Sequence, residues 1–147
     1  NLIKIKLKNS NILDLYSGVG SFGIECISRG AKKTIFIEND SKALLTLKKN
    51  IKDLKINGQT EVFNTKIISF FSKLNHKDKF EIIFLDPPFA EKNFIEELKI
   101  MKNSAIYKKN HLIIIHREKK SDDHCEKIIN VILTKSYGRS KIIFGFF

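Results

Sequence analysis

Proline is nearly missing from this chain of 147 residues: there are two, Pro87 and Pro88, and they are adjacent. Cysteine is as scarce. Cys26 and Cys125 lie far apart with no ligand-like spacing, which excludes a disulfide framework or a zinc centre, so no metal is expected and a reducing, cytoplasmic setting is. Long apolar runs are missing too. The longest, "HLIIIH" and "FEIIFL", are strand-sized and fall far short of the ~20 residues of a membrane span, so no membrane insertion is expected. Residues 1–8, "NLIKIKLK", alternate apolar residues with lysine and read as a strand or an arm rather than a secretory leader. Acids are in deficit, 16 against 27 lysines and arginines, for a net charge of +11. That imbalance favours a polyanionic partner, with nucleic acid ahead of a membrane surface because no amphipathic anchor is evident. Linkers, repeats and low-complexity tracts are absent, which predicts one domain over residues 1–147.

What is present is an alternation of strand-like and helix-like segments. Strands are expected at 11–15, 33–38, 60–64, 80–86, 111–117 and 140–147, the last announced by "YG" at 137–138. Between them, helices are expected at 21–29, 41–55, 67–74, 91–103 and 121–132. In the second of these Leu44, Leu47, Ile51 and Leu54 share one face, with Asp40 or Ser41 as cap, and "NG" at 57–58 ends it. Ser21 and Gly30 bracket the first, and "SDD" at 121–123 supplies a capped, acid-rich start for the last. Such alternation predicts an α/β fold with a mostly parallel sheet covered by helices on both faces.

The first strand runs into "DLYSGVGSFG". Gly18, Gly20 and Gly23 spell G-x-G-x-x-G between a strand and a helix, where bare backbone can turn tightly and approach a ligand. Glu38, 20 residues beyond Gly18 at the tip of the second strand, is placed to accept from ribose hydroxyls. By itself the fingerprint serves nicotinamide, flavin and methyl-donor enzymes alike. Asp14 tilts the choice. A carboxylate four residues before Gly18 would repel a pyrophosphate and attract the ammonium and sulfonium of S-adenosylmethionine.

Both prolines follow Asp86 in "IIFLDPPF". Proline cannot donate to a ladder and holds the preceding residue extended, so the strand should stop at Asp86 and a stiff loop should follow. His111 and His116 bracket the next apolar run and are expected to satisfy strand ends. Arg117, Lys119 and Lys120 follow as candidate phosphate contacts.

The combination of D-x-x-x-G-x-G-x-x-G with "DPPF" resembles the class I S-adenosylmethionine-dependent methyltransferases that act on exocyclic amines of nucleobases. "DLYSGVGSFGIECISRGAKKTIFIEND", "FLDPPF" and "YGRSKIIFGF" resemble, more narrowly, the RsmD family, which methylates a guanine N2 in small-subunit ribosomal RNA. The resemblance spans residues 11–147. It implies a Rossmann-like, seven-stranded, mostly parallel sheet, S-adenosylmethionine as cofactor, ribosomal RNA as partner and a monomeric state. Carried over by position, Asp14, Gly18, Gly20 and Gly23 would line the methionine end of the cofactor. Glu38 would bind the ribose, with Asn39 beside the adenine and Asn64 and the backbone at 66–67 near its edge. Asp86, Pro87, Pro88 and Phe89 would form the target-base pocket. Lys66 stands where relatives often carry Asp or Asn. The family's upstream R-P-T-x-x-R-V-R-E segment is not among these residues, so the sequence reads as a catalytic core without that arm. Other readings left open are an adenine or DNA amino-methyltransferase, a nicotinamide-dependent oxidoreductase, and an RNA-associated module that holds cofactor without turnover.

Overall fold

The structure, a computed structural model, describes residues 7–73 and 77–147. The strand or arm expected at 1–8 lies mostly outside these residues, as does Leu74 at the end of the third expected helix.

Seven strands form one sheet in the order β3-β2-β1-β4-β5-β7-β6. They are β1 (Asn11–Leu15), β2 (Lys33–Glu38), β3 (Thr60–Asn64), β4 (Phe80–Leu85), β5 (Tyr107–Glu118), β6 (Asn130–Tyr137) and β7 (Ser140–Phe146). The first five pair in parallel, and β7 then runs antiparallel to both β5 and β6. Strands buried on both faces need apolar side chains at successive positions, which is why these segments read as continuous apolar runs. Ile12, Leu13, Leu15, Ile35, Ile37, Ile82, Ile83 and Ile113 are accordingly fully buried. The chain moves outward from β1 through β2 to β3, then restarts at β4 on the other side of β1. Loops leaving β1 and β4 therefore diverge and open a crevice at the carboxyl ends of the strands, where open α/β sheets bind ligands.

Among the described residues the sheet is flanked by the helices α1 (Ser21–Ser28), α2 (Ser41–Asp53), α3 (Ile67–Ser72) and α4 (Phe94–Ser104). The Asp40 carboxylate caps α2 by accepting from the amides of Lys42 and Ala43. Leu44, Leu47 and Ile51 form the buried face of α2. Leu54 does not join them. It follows the last helical residue and is 56% exposed. Nor does Ser21 cap α1: Gly20, in the left-handed region, takes that position, and Ser21 is the first helical residue.

The helix expected at 121–132 is absent. A single 3-10 turn, Cys125–Lys127, leads into β6, whose residues are exposed along their whole length as the sheet's edge. His124 sits at φ 53, which the interior of a right-handed helix begun at Ser121 does not accommodate. Asp123, read as part of an acidic first turn, pairs instead with Arg117. Of the apolar residues that resembled a helix, Cys125, Ile128 and Ile129 are buried in the core, while Val131 and Ile132 lie on the exposed edge strand. Among the described residues, no helix is long and apolar enough to cross a membrane.

Candidate active site

The chain leaves β1 through two positive-φ residues, Tyr16 (φ 56) and Gly18 (φ 56), before Gly20 (φ 88) opens α1. Gly20 and Gly23 solve packing problems. A Cβ on Gly20 would stand 2.4 Å from Leu47 Cδ1, and one on Gly23 would stand 2.4 Å from Phe36 Cε1. Both glycines therefore let helices close on the sheet. At Gly18 a Cβ would meet nothing within 4 Å, so this glycine faces open space on the loop's outer side. Its amide donates to Glu38 Oε2 at 2.7 Å. The other oxygen, Oε1, accepts from the amides of Asn39 and Asp40, both at 2.9 Å. Glu38 thus ties the glycine loop to the start of the β2–α2 turn, and Oε2, with a single donor, keeps lone-pair capacity for a further one.

Asp14 is 1% exposed. Its Oδ2 accepts from the Gly23 amide at 3.0 Å, while Oδ1 has no hydrogen-bond partner. Burial pushes the carboxyl well above the usual carboxylate range. The Gly23 amide opposes that rise, and the nearby charges of Asp86 and Glu38 add to it. A buried acid with an orphaned oxygen beneath a glycine loop, surrounded by other acids, is an environment that a cation above the loop would relieve. The donor set therefore fits a positively charged ligand.

A cavity of about 390 Å³ opens where β1, β2 and β3 end, lined among others by Tyr16, Glu38, Asn39, Lys66, Ile67, Glu91 and Asn93. Across it the Tyr16 hydroxyl donates to Glu97 Oε2 at 2.5 Å. Burial lifts the Glu97 carboxyl, the Tyr16 hydrogen bond opposes that, and the charge of Glu91 adds to it. Burial also raises the Tyr16 phenol above its ordinary value, helped by its bond to Glu97. Asn64, the last residue of β3, lies beside Glu38 in register but is exposed and does not line the cavity.

Beyond β4 the Asp86 amide donates to Leu15 O at 3.3 Å, carrying the alignment of β4 with β1 one residue further. Pro87 is buried, and Asp86, Pro88 and Phe89 are exposed. Phe89 lies edge-on to the His116 ring, with centroids 5.7 Å apart. His116 Nδ1 and Asp86 Oδ1 are 2.6 Å apart. His111 behaves as expected of a strand-end histidine: its Nδ1 contacts Lys108 O, and its Nε2 accepts from the Phe147 amide. His116 does not. It addresses an acid at the crevice.

Arg117 overturns its expected role. Far from offering itself to phosphates, it is 2% exposed. Its Nε and Nη2 donate to the two oxygens of Asp123, Nη1 donates to Pro88 O, and Nη2 to Phe89 O. Lys119 and Lys120 are exposed, as expected of phosphate contacts. They share an open cleft with Arg139, a residue that the sequence pattern did not single out.

Comparison with known proteins fits this geometry. The profile of a family described as conserved hypothetical protein 95 matches residues 1–145. The ribosomal RNA small subunit methyltransferase D of Buchnera aphidicola (Acyrthosiphon pisum strain) is 40% identical over 114 residues, 78% of this chain and 59% of the relative. Its Haemophilus influenzae counterpart is 35% identical over 77% of this chain and 59% of its own length. The chain thus spans about three-fifths of these two relatives. Among solved structures, a Haemophilus influenzae protein proposed to be a methylase superposes with a TM-score of 0.87 at 28% identity, over 99% of this chain and 91% of that one. A conserved hypothetical protein from Streptococcus pyogenes shares the fold with a TM-score of 0.86 at 22% identity, over 95% of this chain and 86% of its own. On the profile match, which covers nearly every residue, the chain belongs to the conserved hypothetical protein 95 family, the RsmD family that its motifs resemble.

Proposed function

We propose that residues 1–147 are the catalytic domain of an S-adenosylmethionine-dependent methyltransferase acting on the exocyclic N2 amine of a guanine in small-subunit ribosomal RNA. One observation carries the reading. Glu91 and Asn93, which continue directly from the Asp86–Phe89 segment, line the same cavity as Glu38 and Asn39. A ligand in that cavity therefore adjoins the segment built to hold a base.

Glu38 offers a charged acceptor to a ribose hydroxyl, and Asn39 with the turn at 65–67 borders the adenine. Gly18 leaves the approach to the loop open, and Asp14 supplies negative charge behind it. The bound cofactor would contribute an electrophilic methyl on a cationic sulfur. The protein's part is placement. A guanine N2 amine is a weak nucleophile because its lone pair is delocalised into the ring. Asp86 and the Pro87 carbonyl accept its hydrogens and aim its remaining electron density. Holding reactants in attack geometry can remove on the order of 7–11 kcal/mol of barrier at best. Phe89 stacks on the extruded base, a contact worth roughly 1–3 kcal/mol. Exposed Lys119, Lys120 and Arg139 contact RNA phosphates.

The names of the relatives at 40% and 35% identity support an RNA substrate in the small subunit. A dinucleotide cofactor is disfavoured because the buried Asp14 would face its pyrophosphate across the glycine loop. Calorimetry and mass spectrometry test the reading. S-adenosylmethionine should bind and NADH should not, and a methyl group should appear on a guanine N2 of small-subunit RNA or a partly assembled subunit. A methyl on adenine would move the protein to the other amino-methyltransferase specificity.

A further inference from the structure

Two consecutive residues of β5 grip the segment that follows β4, from different sides and by different chemistry. Register brings them there. Leu85 pairs with Ile115, so His116 and Arg117 lie beside the residues just beyond the end of β4. Successive strand side chains point to opposite faces, so one residue approaches the segment from each side.

His116 reaches the Asp86 carboxylate at 2.6 Å. An ionised carboxylate can only accept, which assigns the hydrogen to Nδ1 and commits Oδ1 to the imidazole. Oδ2 is left as the acceptor for a substrate amine. The same ring meets the edge of Phe89 at 5.7 Å, so one imidazole orients both the acid and the stacking surface.

Arg117 works on the backbone. Its guanidinium is held by both oxygens of Asp123, at 2.8 and 3.1 Å, and lies 4.4 Å from the centroid of the Phe94 ring at the start of α4. The remaining donors reach Pro88 O at 3.1 Å and Phe89 O at 3.3 Å. Pro88 O also accepts from the Glu91 amide at 2.8 Å. Neither of these two peptides can rotate without breaking a bond to a buried charge. Prolines stiffen φ at 87 and 88, and Pro88 holds Pro87 extended, but they leave the carbonyls of Pro88 and Phe89 free to turn. The guanidinium fixes what the prolines do not.

We propose that His116 and Arg117, with Asp123 as the anchor of Arg117, are a positioning pair that holds Asp86 and Phe89 in the arrangement needed for transfer to a base amine. The proposal rests on the methyl-transfer reading. Neither residue touches the reacting atoms. Their loss should therefore fall on turnover and spare cofactor affinity.

The test measures kcat, KM for RNA, S-adenosylhomocysteine affinity, and amide exchange at Glu91. Arg117→Lys keeps the charge but loses the planar fork, and Asp123→Asn, at a less buried position, loosens it with less threat to folding. Both should lower kcat by about 100-fold, the scale of an ångström-sized misplacement, with cofactor affinity within about twofold. His116→Ala should lower kcat by about 10-fold or more. His116→Asn, whose side-chain amide can stand close to the position of Nδ1, should restore most of it. Unchanged kcat in Asp123→Asn and Arg117→Lys, or no difference between His116→Asn and His116→Ala, would overturn the proposal. Exchange keeps the two readings apart. If the wild-type protein transfers no methyl, the functional reading fails, yet Glu91 exchange must still accelerate in Arg117→Lys and Asp123→Asn while β1 exchange does not. Equal protection at Glu91 would sink the clamp by itself.

Discussion

Replacing Glu38 with Gln changes almost no volume and puts the strongest constraint on the proposed cofactor site. The carboxylate accepts three backbone amides: Gly18 on Oε2, Asn39 and Asp40 on Oε1. A carboxamide has only one oxygen. If that oxygen keeps Asn39 and Asp40, its NH2 group faces the Gly18 amide, donor against donor, at a site where 2.7 Å now separates the partners. One charge-assisted bond is lost, and the others become neutral. Bonds to a charged group contribute about 1.5–3 kcal/mol against about 0.5–1.5 for neutral ones. Because Gly18 is half-buried and water can reach its amide, the ligand-free protein should lose only about 1–2 kcal/mol. A ribose hydroxyl bound at the remaining lone pair of Oε2 loses about 1–1.5 kcal/mol, so binding weakens by roughly 5- to 13-fold. Calorimetry with S-adenosylhomocysteine reads this directly. 5′-Methylthioadenosine carries the same ribose without the amino acid and should weaken by the same factor. Unchanged affinity for both would refute the assignment. Loss for S-adenosylhomocysteine alone would place Glu38 at the amino-acid end instead.

Phe89→Ala should reduce productive base capture by about 1–3 kcal/mol in kcat/KM, whereas Phe89→Tyr, which keeps the stacking face, should be mild; steady-state kinetics with RNA separates them. Gly23→Ala drives a methyl to within 2.4 Å of Phe36 Cε1 and 2.7 Å of Thr34 Cγ2, so overpacking should destabilise by about 1–3 kcal/mol in a denaturant melt. Burial raises the Asp14 carboxyl in the folded state, so its protonated form favours folding below its unfolded value, and that advantage disappears as pH rises through the folded value. Wild type should therefore lose stability relative to Asp14→Asn as pH rises above about 4; parallel melting curves would show that Asp14 does not titrate as its burial implies.

The parallel half of the fold is legible for a physical reason. Strands covered on both faces must be largely apolar, and turn-forming residues mark where each one stops: Gly18 after β1, Asn39–Asp40 after β2 and Pro87 after β4. "NILDL", "KTIFIE" and "FEIIFL" therefore declare themselves, and the strand order places Gly18, Glu38 and Asp86 at one edge. The antiparallel end is not legible in the same way. Cys125, Ile128, Ile129, Val131 and Ile132 follow an acidic, cap-like tripeptide at helix-like spacing, and only pairing with β7 decides that the chain is extended from Asn130. Arg117 was misread because sequence cannot separate it from Lys119 and Lys120. One signal did exist. The chain contains three arginines, and this one comes two residues after an apolar run and six residues before an aspartate. A lysine would have served a solvated surface, while a planar fork suits two carbonyls and a carboxylate together. His116 depends wholly on register, since nothing in the sequence states that Ile115 lies opposite Leu85.

Charge is sorted in this molecule, and the sorting separates its two proposed ligands. The net charge is +11, yet the charged residues lining the cavity are Glu38, Glu91 and Glu97 with Lys66 alone opposing them, among the described residues. Asp86 adds to the negative side, and Asp14, held above the usual carboxylate range by burial, ionises most readily against a cation over the loop. An acidic crevice in a basic protein holds a cation inside and a polyanion outside, and salt acts on the two differently. Surface lysines and arginines release counterions when RNA binds, so its affinity should fall linearly on a log–log plot against salt. Replacing Lys119, Lys120 and Arg139 together should lower that slope by about 2, at roughly 0.7 per single-strand phosphate contact. Cofactor binding involves no such release. Its main charge partner is buried, where screening over a Debye length of ~8 Å is weak, so the affinity for S-adenosylmethionine should change little over the same range. A steep salt dependence for the cofactor would mean that its charge is met at the surface and not over Asp14. An RNA slope unmoved by the triple replacement would put the phosphate contacts on another face of the protein.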